Sequence, residues 1–178
     1  MKCITAVLVG LFVVVFTAGV AGAAFVGPQT LSVESDNEDE DVLLEWDGSE
    51  VAGDASPEGT TSEQWTLTDT GGGEYTIVNV STGQYLEDAD DGGLGNDVFL
   101  AAADGSDAQK WTITDDGGGI YTINNVASGK NLEIYEKNAG TYNPNTKAWQ
   151  NWQIVPEPAT MVLLGLGGAG LLLRRRRG

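Results

Sequence analysis

The chain repeats itself at a fixed offset of 46 residues (111 − 65), and that repeat constrains the fold more than any single residue does. Trp65-Thr66-Leu67-Thr68-Asp69 returns as Trp111-Thr112-Ile113-Thr114-Asp115. The register then holds without a gap. Gly71-Gly72-Gly73 matches Gly117-Gly118-Gly119, and Tyr75-Thr76-Ile77 matches Tyr121-Thr122-Ile123. Asn79-Val80, Gly83 and Leu86-Glu87 match Asn125-Val126, Gly129 and Leu132-Glu133.

Each unit reads as short strands. Trp-Thr-Leu-Thr alternates apolar and polar residues, as a half-buried strand does. The Asp-x-Gly-Gly-Gly stretch is a hairpin loop, and Tyr-Thr-Ile-x-Asn is a second alternating strand. Ser81-Thr82-Gly83 and Ser128-Gly129 form the next turn. Tyr85-Leu86-Glu87 starts a third strand and Val98-Phe99-Leu100 a fourth. The 25 glycines and the frequent Thr, Asp and Asn suit turns and strands better than helices. Four short strands per unit with no helical period indicate an all-β closed structure.

A third Trp follows at Gln150-Asn151-Trp152, with the leaders Gln109-Lys110-Trp111 and Glu63-Gln64-Trp65 before the other two. Three units closed by Gln-x-Trp resemble the ricin B-type lectin β-trefoil. The run from Gly119 to Glu133 is similar to that family's central signature. The resemblance implies an all-β β-trefoil over residues 24–155, with repeats at about 24–65, 66–111 and 112–155. It implies that Trp65, Trp111 and Trp152 pack in a shared core, and core packing is also the reading for Tyr75 and Tyr121. Unit one is degraded. It has Leu31-Ser32-Val33 where the family has Leu-Asp-Val, so it lacks the acid at Ser32, and its first strand is expected to be short. Its Trp46 is a candidate aromatic, and the acidic run Glu34 to Asp41 reads as a solvated loop.

A sugar site needs a carboxylate or amide for hydroxyls and an aromatic face for the C–H side of the ring. In the family each unit supplies an acid after the Leu, then an aromatic, then polar groups near Gln-x-Trp. Carried onto this sequence, unit three offers Glu133, Tyr135, Tyr142, Asn143, Trp149 and Gln150. Unit two offers Glu87, Asp88 and Gln109, with Ala101 or Ala102 where the stacking aromatic belongs and Phe99 nearby. The bland alternative for Glu87 and Glu133 is a solvated strand end or a turn acceptor. No cofactor is called for. The one candidate metal is calcium, on the Gly-rich loop that holds Asp88, Asp90, Asp91, Asn96 and Asp97, although its spacing does not match an EF-hand.

The two ends read as address labels. Residues 1–23 form a signal peptide: Lys2, an apolar stretch from Ala6 to Val20, then the small-x-small pattern Ala21-Gly22-Ala23. The other end runs Pro156-Glu157-Pro158, an uncharged stretch from Met161 to Leu173, then Arg174-Arg175-Arg176-Arg177. That stretch is short for a membrane span, and the arginines would hold its end on the cytoplasmic side. Residues 156–178 resemble the PEP-CTERM sorting signal. The resemblance implies a short transmembrane sorting helix, processing by an exosortase-type membrane protease, and release to the cell surface or extracellular matrix of a bacterium with a Gram-negative envelope.

Charge and residue types then exclude whole classes of function. The formal net charge is −17. The body keeps four lysines, Lys110, Lys130, Lys137 and Lys147, against every acidic residue but Glu157. Such a body repels phosphate backbones, which excludes nucleic acid as a partner. The sole cysteine, Cys3, lies in the signal peptide, so the mature domain has no disulfide and no thiol nucleophile. With no histidine, Ser-His and Cys-His catalysis and ordinary zinc sites are excluded. Paired carboxylates could serve a glycosidase, but in so acidic a chain a pair means little. The expectation is an exported, non-enzymatic, lectin-like protein that binds extracellular polysaccharide. The alternative is a structural matrix or surface-coat protein on a trefoil scaffold with decayed sugar sites.

Overall fold

The computed structural model describes residues 25–34, 41–56, 58–89 and 98–156. The expected signal peptide, the sorting segment from Glu157 onward and the calcium candidates Asp90, Asp91, Asn96 and Asp97 lie outside the described residues. Among the described residues no helix is long and apolar enough to cross a membrane.

Twelve strands follow in order: β1 (Pro28–Glu34), β2 (Asp41–Trp46), β3 (Val51–Asp54), β4 (Gln64–Gly71), β5 (Glu74–Asn79), β6 (Tyr85–Asp88), β7 (Val98–Ala101), β8 (Trp111–Gly117), β9 (Ile120–Asn125), β10 (Asn131–Tyr135), β11 (Asn138–Tyr142) and β12 (Trp152–Pro156). Six of them close a ring of antiparallel pairs, β1–β4–β5–β8–β9–β12 and back to β1. The other six form three hairpins, β2–β3, β6–β7 and β10–β11, each joined to the ring by its first strand. A short 3₁₀ turn precedes β4, β8 and β12.

The register reveals how the ends complete the three-fold pattern. Leu67 pairs with Ile77, Ile113 with Ile123, and Ile154 with Leu31, so the strand after Trp152 pairs back with β1. At seven residues β1 is as long as β8, which corrects the expectation of a short first strand. Its length follows from this pairing, because β12 supplies a full antiparallel partner.

The triple glycines answer to backbone geometry. Gly71 to Gly73 and Gly117 to Gly119 all have positive φ, a backbone region that strains residues with a Cβ. In each hairpin an aspartate turns back on the loop: Asp69 Oδ1 accepts the Gly71 N–H at 2.6 Å, and Asp115 Oδ1 that of Gly117 at 2.8 Å.

Trp65, Trp111 and Trp152 are fully buried in one core with Leu31, Leu44, Ile77, Leu86, Ile123 and Leu132. Burying a side chain of this size is worth about 5 kcal/mol of transfer free energy. Each indole N–H also donates to a leucine carbonyl: Trp65 to Leu44 at 2.8 Å, Trp111 to Leu86 at 3.1 Å, Trp152 to Leu132 at 2.9 Å. Tyr75 is buried and the half-buried Tyr121 packs against the core. The third equivalent position holds Gln29. Phe25 completes the aromatic set there, edge-on to Tyr75 at 5.6 Å and to Tyr121 at 5.9 Å.

Candidate functional site

The three indole bonds define equivalent positions on the hairpins. Leu44, Leu86 and Leu132 accept them, so the residues that follow, Glu45, Glu87 and Glu133, are equivalent. This corrects the reading that unit one lacks its acid. Leu31 pairs in the barrel with Ile154, as Ile77 pairs with Leu67, so Ser32 is not the acid position and Glu45 is. Across each hairpin, Leu43 faces Asp54, Tyr85 faces Ala101 and Asn131 faces Tyr142. Glu63, Gln109 and Gln150 occupy matching places in the 3₁₀ turns, and all three are buried.

Unit three carries the fullest set. Alternation along β10 places Asn131, Glu133 and Tyr135 on one face, and Asn138, Gly140 and Tyr142 of β11 stand opposite them. Leu132, Ile134, Ala139 and Thr141 turn inward and are buried. The outer face floors a cavity of about 590 Å³ whose further walls are Glu136, Asn145, Lys147 and Trp149. Gly140, with no side chain, lies directly across from Glu133, which is itself largely buried where it lines the cavity.

The Gln150 amide fixes the acid. Its Nε2 donates to Glu133 Oε2 at 2.9 Å, and its Oε1 accepts from Asn131 Nδ2 and from the Asn145 N–H, each at 3.0 Å. Burial pushes the Glu133 carboxyl up, against the Gln150 bond and the nearby Trp149 side chain, which favour the anion. The aromatics are arranged in turn. Tyr135 meets Trp149 edge-on at 5.3 Å, and the Lys147 ammonium lies 5.3 Å from the Trp149 ring centroid. Tyr135 and Tyr142 are exposed. The arrangement offers an oriented acceptor, amide groups and apolar faces, which suits a hydroxyl-rich ring.

Of the residues named from sequence in unit three, Glu133, Tyr135, Tyr142 and Trp149 line the cavity. Gln150 lies beneath, holding Glu133, and Asn143 contributes its backbone carbonyl to Gln150 Nε2 at 3.3 Å. Sequence reasoning missed Glu136, Asn138, Gly140, Asn145 and Lys147. For Asn138 and Gly140 a signal existed, since continuing the alternation back from Tyr142 puts both on the site face.

Unit two keeps the frame and changes the residues across from its acid. Gln109 Nε2 donates to Glu87 Oε2 at 2.8 Å, and its Oε1 accepts the Asp104 N–H at 3.0 Å, as in unit three. However, Phe99 stands across from Glu87 where unit three has Gly140, and Ala101 replaces Tyr142. Asp88 does not join Glu87. It is buried, with its oxygens accepting from Ser128 Oγ at 2.5 Å and Thr141 Oγ1 at 3.1 Å. The sequence reading placed Asp88 among sugar or calcium ligands. The structure turns it inward, as the residue after an outward-facing Glu87 must be, and uses it to join unit two to unit three.

Unit one has exchanged both partners of its acid. Asp54 takes the aromatic position and Glu63 the amide position, and the carboxylate oxygens of Glu45, Asp54 and Glu63 lie within 4.8 Å of one another. Glu63 accepts the N–H groups of Glu58 at 2.6 Å and Gly59 at 2.8 Å, and Ser62 Oγ donates to Glu45 at 2.9 Å. Burial, followed by the nearby negative charges, raises the Glu45 carboxyl above its ordinary value, although Ser62 opposes the shift. Trp46 packs against the core.

Residues 61–149 match the ricin-type β-trefoil lectin domain-like family. The chain belongs to this family. Residues 155–177 match the PEP-CTERM protein-sorting motif, whose first two residues are also the last two of β12. The ricin-type trefoil is similar to ThreeFoil, a designed three-fold symmetric protein, at 25% identity and a TM-score of 0.65, covering 73% of this chain and 99% of that one. It is also similar to an exo-β-1,3-galactanase from Clostridium thermocellum at 23% identity and a TM-score of 0.62, covering 72% of this chain and 30% of that one. A Polyporus squamosus lectin, solved with a sialylated Galβ1-4GlcNAc epitope, matches at 17% identity and a TM-score of 0.59, covering 72% of this chain and 48% of that one. A comparison with curated proteins gives no match.

Proposed function

We propose that the protein is an exported glycan-binding module, with no chemistry of its own, that holds extracellular polysaccharide through unit three. The observation that carries this reading is the unit-three cavity, which an oriented Glu133 lines together with Tyr142. Glu133 would accept from neighbouring hydroxyls, Asn145 and Asn138 would serve further hydroxyls, and Tyr142 or Tyr135 would meet the C–H face. The family and the lectin among the similar structures support the same class of ligand. The sorting motif supports export, a transient membrane stop, and processing by an exosortase-type protease before the body reaches the surface or matrix.

The test is a glycan array on the full chain, followed by titration of the best ligand. Glu133→Gln and Tyr142→Ala should each weaken binding about tenfold or more, at unchanged thermal stability for Tyr142→Ala. Retained affinity in both variants sinks the reading. Units one and two favour a second one, a matrix or coat protein acting through its acidic surface, because neither has both an open floor and an aromatic. Calcium-dependent association that ignores free sugar would decide for it.

A further inference from the structure

The hairpin that floors the cavity ends in an unusual turn. β10 and β11 are joined by two residues, with Tyr135 paired to Asn138. Both connecting residues are left-handed, Glu136 at φ 51° and Lys137 at φ 77°. Two-residue hairpin turns need positive φ, and for that reason they favour Asn-Gly. Glu-Lys is a poor choice for such a turn, and among the described residues these two alone are non-glycine residues with positive φ.

Neighbouring groups hold the turn in place. The Gly53 N–H of unit one donates to the Lys137 carbonyl at 2.9 Å, and Asn138 pairs with Ala52. Gly53 allows this approach. A Cβ there would meet Ile134 Cγ2 at 2.5 Å and Val42 Cγ1 at 2.7 Å. A strained backbone that its surroundings fix this firmly suggests a use for the side chain it presents. Glu136 lines the cavity mouth with Asn138. It stands three residues along the chain from Glu133, roughly 10 Å.

We propose that Glu136 is a second acceptor of the site, held by the strained turn, so that the ligand is an oligosaccharide of two or more rings. One ring is gripped by Glu133 and the next by Glu136. This rests on the glycan-binding reading of unit three and adds the length of the ligand. Two carboxylates on one cavity, with the amide side chains of Asn138 and Asn145 also lining it, suit a run of neutral, hydroxyl-rich rings. A single ring would engage one carboxylate at most.

The experiment titrates the full chain with galactose, glucose and N-acetylglucosamine and with a tetrasaccharide of each. Three variants accompany it: Glu136→Gln, the turn replacement Glu136→Asn with Lys137→Gly, and Glu133→Gln. The turn replacement should raise the melting temperature by roughly 3 °C or more, since Asn-Gly relieves the strain. It should also weaken tetrasaccharide binding about tenfold while leaving monosaccharide binding within about twofold. Glu136→Gln, which keeps the backbone strain, should show the same chain-length dependence with little change in melting temperature. A merely structural turn would move the melting temperature alone. Loss of tetrasaccharide binding in Glu133→Gln with none in either Glu136 variant overturns the proposal and spares the reading beneath it. No binding of any of these sugars by the wild type overturns both.

Discussion

Unit one and unit three hang the same outer positions on the same inner frame. In both, an indole N–H inside the core donates to the leucine carbonyl that precedes the acid. Beyond that point they part. Unit three sets Glu133 against an amide and an aromatic, and unit one sets Glu45 against two more carboxylates. The inner frame is bound by packing that all three units share, so a change there is felt by the whole barrel. The outer positions bond mainly within their own unit, so each unit could change its own without unfolding its neighbours. Unit three joins an oriented acid to aromatic faces, whereas unit one concentrates negative charge.

The largest effect should come from breaking what the units share. Trp65→Ala, Trp111→Ala and Trp152→Ala should each cost about 4 kcal/mol in urea unfolding, through a large cavity and a lost hydrogen bond. The three costs should agree within about 1 kcal/mol, whatever the outer residues. If Trp65→Ala were tolerated while the other two unfolded the protein, unit one would not share the frame, and the equivalence of Glu45 with Glu133 would fall with it.

A smaller effect should come from repairing what unit one has changed. Glu45→Gln would set an amide donor against the Glu63 carboxylate, the bridge of unit three with its polarity reversed. The Glu63 bonds from Glu58 and Gly59 would be kept, as would an acceptor for Ser62. A gain of about 1 kcal/mol is expected at neutral pH. The sign of the pH dependence follows from the raised Glu45 carboxyl. The folded state holds that proton more tightly than the unfolded chain. Stability therefore falls as pH rises from the ordinary glutamate value through the raised one, and is flat beyond it. The variant lacks this group, so its advantage should vanish below the ordinary value, where Glu45 is protonated in both states. Melting curves across that range check it. A constant advantage at all pH values would mean that charge crowding is not the cause.

Much of the fold was legible because it is written in short-range patterns that recur. The 46-residue offset, the Gln-x-Trp leaders and the triple glycines each report a local requirement of one strand or turn. The errors came where long-range pairing decides. Leu31-Ser32-Val33 fits any half-buried strand; what makes it a barrel strand is its pairing with Ile154, more than a hundred residues away. The clasp of Gly53 on Lys137 is of the same kind. Asp88 is different, because it was readable from β6 alone. Adjacent residues on a strand face opposite ways, so Glu87 and Asp88 could never both meet a ligand.

Unit two offers the smallest test. It keeps the Gln109–Glu87 bridge, and so the oriented acid, but Phe99 covers the floor and Ala101 offers no ring. Ala101→Tyr alone should do nothing, since the ring would stand beside a floor still filled by Phe99. Phe99→Gly with Ala101→Tyr copies the Gly140 and Tyr142 arrangement and should add a second, weak site. Affinity for a single short glycan would hardly change, because unit three would still bind first. Binding to a glycan-coated surface should rise a few-fold, since two sites on one body raise avidity without any new contact in either. Titration of a soluble tetrasaccharide should then need two sites per chain. An unchanged stoichiometry in a folded double variant would mean that Asn145 and Trp149, which unit two lacks, do what Gly140 and Tyr142 cannot do alone.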